Sequence, residues 1–194
     1  MASPILILAS ASPRRAAILT ALGLPFRVVV PEVDESLLAG EGGPAAAERL
    51  ARAKAASVAG AAELPVLAAD TLVLCDEQVL GKPASEEDAA RMLRTLSGRS
   101  HEVVTGVCLA RDGILRSGIE TTTVTFAPMS EAEIAWYVAT GEPLDKAGAY
   151  HVDGRGALFV SSVSGSPSNV AGLPVRLMLR LAREAGIRLG PAGG

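Results

Sequence analysis

Apolar residues open the chain in short dense runs and then recur at helical spacing between those runs. "PILILA" at 4–9 is apolar and rich in isoleucine and leucine, which predicts a buried strand. "RRAAILTAL" at 14–22 has helical spacing and meets Gly23 as a stop signal, so Arg14 and Arg15 fall in the first turn of a helix. "PFRVVV" at 25–30 predicts a second strand, and the acidic "PEVDES" at 31–36 the loop leaving it. Residues 44–60 carry Pro at the first turn, strong helix formers inside and Gly at the end, a helix that contains Lys54. "PVLAADTLVLCD" at 65–76 reads as a strand interrupted by Asp70 and Thr71. A short connection over 76–83 leads to a helix over 85–98, with Ser85 as its N-cap and acids in its first turn.

From residue 101 the pattern turns to strands. Two long ones within 101–129 are joined through Asp112-Gly113, a hairpin signal that predicts antiparallel pairing. A capping box at Ser130 and Glu133 opens a helix ending at Gly141. Residues 157–166 predict a further strand and turn, 170–186 include a closing helix, and 189–194 should fray. Strand-helix alternation followed by a hairpin implies an α/β fold. It would have a mixed β-sheet flanked by helices and a single domain over 1–194, its two lobes meeting at a cleft.

Composition narrows the partners. A formal net charge of -3 and a pI near 5.5 give no general attraction to nucleic-acid polymers or acidic membranes. No run approaches the roughly 20 apolar residues of a membrane helix, and the amino terminus lacks the basic region of a secretory signal, so a cytoplasmic protein is expected. Cys75 and Cys108 lie inside apolar runs without metal-site spacing, which predicts buried thiols. His101 and His151 are too isolated for a metal triad, and Trp136 and Tyr137 are expected in the core or half in it.

Some polar residues break the apolar pattern and carry the candidate chemistry. Two arginines at a helix start sit where cations are least comfortable, because the N-terminus carries partial positive charge. A bound anion would relieve them, and a Ser-x-Ser-Pro turn with free backbone N–H groups and two guanidiniums is equipped to hold phosphate. Asp70, among valine, leucine and alanine, needs a compensating partner; a paired lysine and a general base or metal ligand at a strand end are both open readings. Lys82 sits in "GKP", where Gly81 would allow close backbone approach and Pro83 would fix the exit. Glu32, Asp34 and Glu35 are either a solvated acidic loop or carboxylates for a hard divalent cation, and Asp145-Lys146 reads as a surface pair. No Walker-type loop and no Ser/His/Asp set in recognisable context is present.

"LASASPRR", "AADTLV", "GKP", "LSGRSHEVVTGV" and "EPLDKAGAY", in this order and spacing, resemble the Maf family, whose members are nucleoside triphosphate pyrophosphatases also called septum formation inhibitors. The resemblance covers about residues 5–183. It implies an elongated two-lobed protein with a central cleft, akin to the inosine triphosphate pyrophosphatases, that converts NTP and water to NMP and pyrophosphate. Carried over by motif position, Ser10, Arg14 and Arg15 would bind substrate, Lys54 and Lys82 would hold phosphates, and Asp70 would activate water. Glu35, with Asp70, would position a divalent cation, Mg2+ or Mn2+. A homodimer is a family-level expectation.

The resemblance also sorts substrates. Arg14 and Thr71 resemble the subgroup acting on dTTP and UTP, whereas Asp153 stands where that subgroup has glutamine. A carboxylate accepts hydrogen bonds but cannot donate as an amide does, so the expectation is a pyrimidine-leaning enzyme of broadened specificity. Hydrolysis of 7-methyl-GTP or another modified nucleotide is the alternative reaction, and a non-catalytic nucleotide sensor that inhibits septum formation is the alternative of another class.

Overall fold

The computed structural model describes residues 3–76 and 78–189. Within them, seven strands form one mixed sheet in the order β2-β1-β3-β5-β6-β7, with β4 paired to β3. β1 (Leu6–Ala9) lies parallel to both β2 (Phe26–Val29) and β3 (Val66–Cys75). β4 (Gln78–Leu80) runs antiparallel to β3. β5 (Ser100–Arg111) and β6 (Ile114–Phe126) are joined by the predicted two-residue turn, with Asp112 and Gly113 both at positive φ; so short a turn admits only antiparallel pairing. β7 (Val160–Ser164) is antiparallel to β6.

The helices follow their local signals. α1 is Pro13–Ala21, ending before Gly23 at φ 67°. α2 is Gly43–Ala59, α3 is Glu86–Leu96 with the Ser85 cap accepting from the Asp88 N–H, and α4 is Glu131–Ala139 with both halves of its capping box formed. A single turn, α5 (Pro167–Val170), precedes α6 (Val175–Glu184). No helix among the described residues is long and apolar enough to cross a membrane.

Several expectations change. β3 runs unbroken through Asp70 and Thr71, because the polar side chains find partners without interrupting the backbone ladder. The connection over 76–83 contains β4, made possible by a turn with Asp76 at φ 54°. Residues 155–159 form a 3-10 turn before β7, and 142–145 and 147–149 form two more. Trp136 is 47% exposed; Ile134, Tyr137 and Val138 face inward at helical spacing, which turns residue 136 outward. The tail expected to fray begins at Leu189, which packs against the core, and 190–194 lie outside the described residues.

The chain divides into two compact units: residues up to Asp70, Thr105–Glu120 and the segment from Gly172 in the first; Thr71–Val104 and Thr121–Ala171 in the second. In the first, β1, β3 and β5 are covered on both faces, which is why their residues there are mostly apolar. Leu6, Leu8, Leu67, Ala69, Val107 and Leu109 pack with α1 and α6 residues. Their neighbours in sequence, Ile7, Ala9, Val66, Ala68, Cys108 and Ala110, meet Ala51 and Ala55 of α2 on the other side. The alanine-rich face of α2 lies very close to the sheet: a Cβ on Gly106 would sit 2.2 Å from the Ala47 carbonyl oxygen. The second unit has its own core around Leu93, Phe126, Ile134 and Tyr137. There His101, 3% exposed, meets the Tyr150 hydroxyl through Nε2 at 2.9 Å and packs edge-on against Phe126, and burial pushes its pKa down to about 4. Both cysteines are buried and free.

Candidate active site

Strand parity decides where Asp70 points. Residues 66 and 68 face α2, so residue 70, two further along, faces α2 as well. Lys54 lies on that helix beside Ala51 and Ala55, and the small alanines with Gly106 bring the helix near enough for contact. The Lys54 ammonium donates to Asp70 Oδ1 at 2.6 Å. Both side chains are over nine-tenths buried. Pairing supplies the countercharge that a carboxylate among aliphatic side chains requires.

The same ammonium reaches a second acid. Glu35 Oε2, on the loop after β2, lies 2.8 Å from Lys54 Nζ, and its side chain is 57% exposed. One cation therefore gathers two carboxylates from distant points of the sequence, one buried and one facing water. Hard anionic oxygens converging on a single positive charge are the donors a divalent cation takes, and magnesium commonly uses one or two carboxylates while phosphates and water supply the rest. Among the described residues no three His, Cys, Asp or Glu side chains form a cation cage; the pair Glu35 and Asp70 fits a metal shared with a phosphate ligand.

The arginines occupy the first turn of α1, which contains no acid. Arg15 is buried: its Nε donates to the Gly172 carbonyl at 2.8 Å and its Nη1 to Ser10 Oγ at 3.1 Å, while Ser10 Oγ also accepts from the Ser12 N–H. Burial draws the guanidinium pKa down to about 10, against the opposing pull of Asp70 and Glu35. Arg15 thus braces the turn that holds Ser10, and Arg14 beside it is partly exposed. Ser12 caps α1 by position only, with no side-chain hydrogen bond to the helix.

Ser10, Arg15, Glu35, Lys54 and Asp70 are thus linked through direct contacts or nearby charge in the first unit. Thr71, Lys82 and Asp153 belong to the second. Thr71 is half-buried on β3, Lys82 is exposed in the turn after β4, and Asp153 is exposed between two 3-10 turns. Gly81 is not required by a close approach, since a Cβ there meets nothing within 4 Å; its carbonyl instead accepts from the Gly148 N–H at 3.0 Å, tying "GKP" to "DKAG".

Sequence reasoning passed over Glu142 and Arg49, and it read Lys146 with Asp145 as a surface pair, whereas Lys146 is buried. Lys146, 9% exposed, donates to the Glu142 carbonyl at 3.2 Å and pairs with Asp145. Glu142 accepts from the Tyr137 hydroxyl at 2.8 Å and from the Arg155 and Gly156 N–H groups at 3.1 Å each, fixing the segment around Asp153. Burial pulls the Glu142 pKa up, but the Arg155, Tyr137 and Gly156 donors outweigh it and hold the group below its ordinary value. Arg49, the other, ties the loop of Glu35 to α2. An apolar helix face interrupted by a cation, as at Lys54, marks a site in sequence; Arg49 and Glu142 lie among other charges and carry no such mark.

A mixed α/β sheet thus carries a lysine-bridged carboxylate pair and an arginine-bearing helix start, a set of charged groups suited to an anionic ligand. A family model described as Maf-like protein matches residues 5–185, and the chain belongs to that family. It is 50% identical over 191 residues to a dTTP/UTP pyrophosphatase of Anaeromyxobacter dehalogenans (strain 2CP-C), covering 96% of this chain and 97% of the relative. It is 52% identical to a dTTP/UTP pyrophosphatase of Anaeromyxobacter sp. (strain Fw109-5), with 97% and 96% covered. Among solved structures, the Ham1 protein of Staphylococcus aureus shares the fold, at a TM-score of 0.51 and 15% identity over 93% of this chain and 98% of that one.

Proposed function

We propose that this protein is a nucleoside triphosphate pyrophosphatase that hydrolyses dTTP and UTP to the monophosphate and pyrophosphate. The observation that carries the reading is the buried Lys54–Asp70 pair with Glu35 on the same ammonium, in a chain half identical to relatives named for that activity. Asp70 is the general base, taking a proton from the water that attacks the α-phosphorus. Lys54 and the α1 arginines offset the charge spread over the phosphoryl oxygens, and forked guanidinium donors suit that task. Ser10 orients the turn, and Lys82 holds the departing pyrophosphate. A Mg2+ or Mn2+ held by Glu35 and Asp70 would supply Lewis-acid stabilisation of the phosphate charge.

Arg14, Thr71 and Asp153 set base choice. Asp153, held in place through Glu142, accepts from the uracil or thymine N3–H but has nothing to donate to a base carbonyl. The test uses purified protein with Mg2+ or Mn2+ and a panel of normal and modified triphosphates. Monophosphate and pyrophosphate from dTTP and UTP, abolished by Asp70→Asn, support the reading; a diphosphate product, or full activity in the variant, overturns it.

A further inference from the structure

The loop from Pro31 to Gly42 contains no helix or strand, yet it delivers Glu35 to Lys54. Apolar burial does not hold it down at its middle, where Leu37 and Leu38 are 44% and 58% exposed. Polar ties to α2 do that work. Arg49 Nε and Nη2 grip the two carboxylate oxygens of Glu41 at 2.7 and 2.8 Å, and Nη2 also donates to the Ser36 carbonyl at 3.0 Å. Ser36 is the residue directly after Glu35. Glu41 in turn accepts from the Leu38 N–H at 3.3 Å, closing the far end of the loop on itself. A planar guanidinium makes this three-point grip and a lysine ammonium cannot reproduce its fork.

We propose that Arg49, with Glu41, is a positioning residue that pre-sets Glu35 as a ligand for the divalent cation. The proposal rests on the metal reading of Glu35 and Asp70 given above. Arg49 touches neither cation nor nucleotide; it fixes the backbone that carries the ligand, so its loss should appear as weaker metal binding, with the proton-transfer chemistry of Asp70 intact. Partners of this kind commonly contribute about ten-fold or more to metal affinity.

Mn2+ affinity is measured by electron paramagnetic resonance on the whole protein with a non-hydrolysable UTP analogue, beside the Mn2+ dependence of UTP hydrolysis. Arg49→Lys and Glu41→Gln should each weaken Mn2+ binding roughly ten-fold. The Mn2+ concentration for half-maximal rate should rise in parallel, with most of the rate recovered at saturating metal. Arg49→Lys combined with Glu41→Gln should be no worse than the weaker single variant, since both break one latch. Unchanged Mn2+ affinity in both single variants, with Glu35→Gln weakened, overturns the latch and leaves the metal reading standing. Unchanged affinity in Glu35→Gln overturns the metal reading and the latch with it. A rate loss that saturating metal does not restore also refutes the positioning role, and unfolding midpoints near the parent's show that the fold is intact.

Discussion

Replacing Lys54 by methionine keeps an unbranched apolar stem reaching as far as the lysine Cε and removes the ammonium. Asp70 then stays behind with its side chain 8% exposed and its 2.6 Å partner gone. Breaking a buried ion pair from one side costs about 3–5 kcal/mol, because the remaining charge is uncompensated. Glu35 needs less compensation, being 57% exposed, and Arg15 lies near enough to attract Asp70. Both place the cost at the low end, about 3 kcal/mol. For a chain of this size that corresponds to a fall in melting temperature of roughly 6–12 °C. Asp70→Asn should cost less, since Lys54 keeps its 2.8 Å contact with Glu35. The double variant should recover at least ~1 kcal/mol relative to the sum of the singles, the signature of residues in contact. Urea unfolding of the four proteins gives the cycle. A cost below ~1 kcal/mol for Lys54→Met, the level of a surface pair, or strict additivity, would refute a buried, mutually dependent pair.

Gly106→Ala would place a methyl 2.2 Å from the Ala47 carbonyl oxygen, displacing α2 and Lys54 with it; a loss of ~3 kcal/mol or more is expected by urea unfolding, together with lost activity. His101, drawn from an ordinary 6.5 to about 4 by burial, binds fewer protons folded than unfolded between those values. Stability should therefore rise with pH across that window, and His101→Gln should flatten the urea midpoint measured from pH 4 to 7. Asp153→Gln should raise kcat/KM for UTP and dTTP relative to GTP and CTP, because the amide adds a donor; an unchanged ranking would remove Asp153 as the reader.

Much of this fold lies on the surface of the sequence because its signals are local. Ser85, the Ser130–Glu133 box and Asp112-Gly113 each act within four residues, and each forms as expected. β4 escaped because three residues show no period, and 142–159 escaped because its three 3-10 turns are short, the middle one holding Gly148 and Ala149 at positive φ, and none carries a helical period. Asp70 announced itself by the cost of a carboxylate among aliphatics, and the partner proved to be Lys54, sixteen positions earlier. Gly106 gave no sign: its necessity comes from a helix lying across a strand far along the chain. Arg49 and Glu142 were equally silent, since an arginine in a charged helix and a glutamate before proline look like solvated residues until their partners converge in space.

The most direct test of the account is hydrolysis of UTP in water carrying a heavy oxygen isotope, followed by mass analysis of both products, for the parent and for Asp70→Asn. Attack at the α-phosphorus by water activated at Asp70 puts the label in UMP, leaves pyrophosphate unlabelled, and gives no turnover in the variant. Label in pyrophosphate or inorganic phosphate, or labelled UMP formed by the variant at the parent's rate, would contradict it.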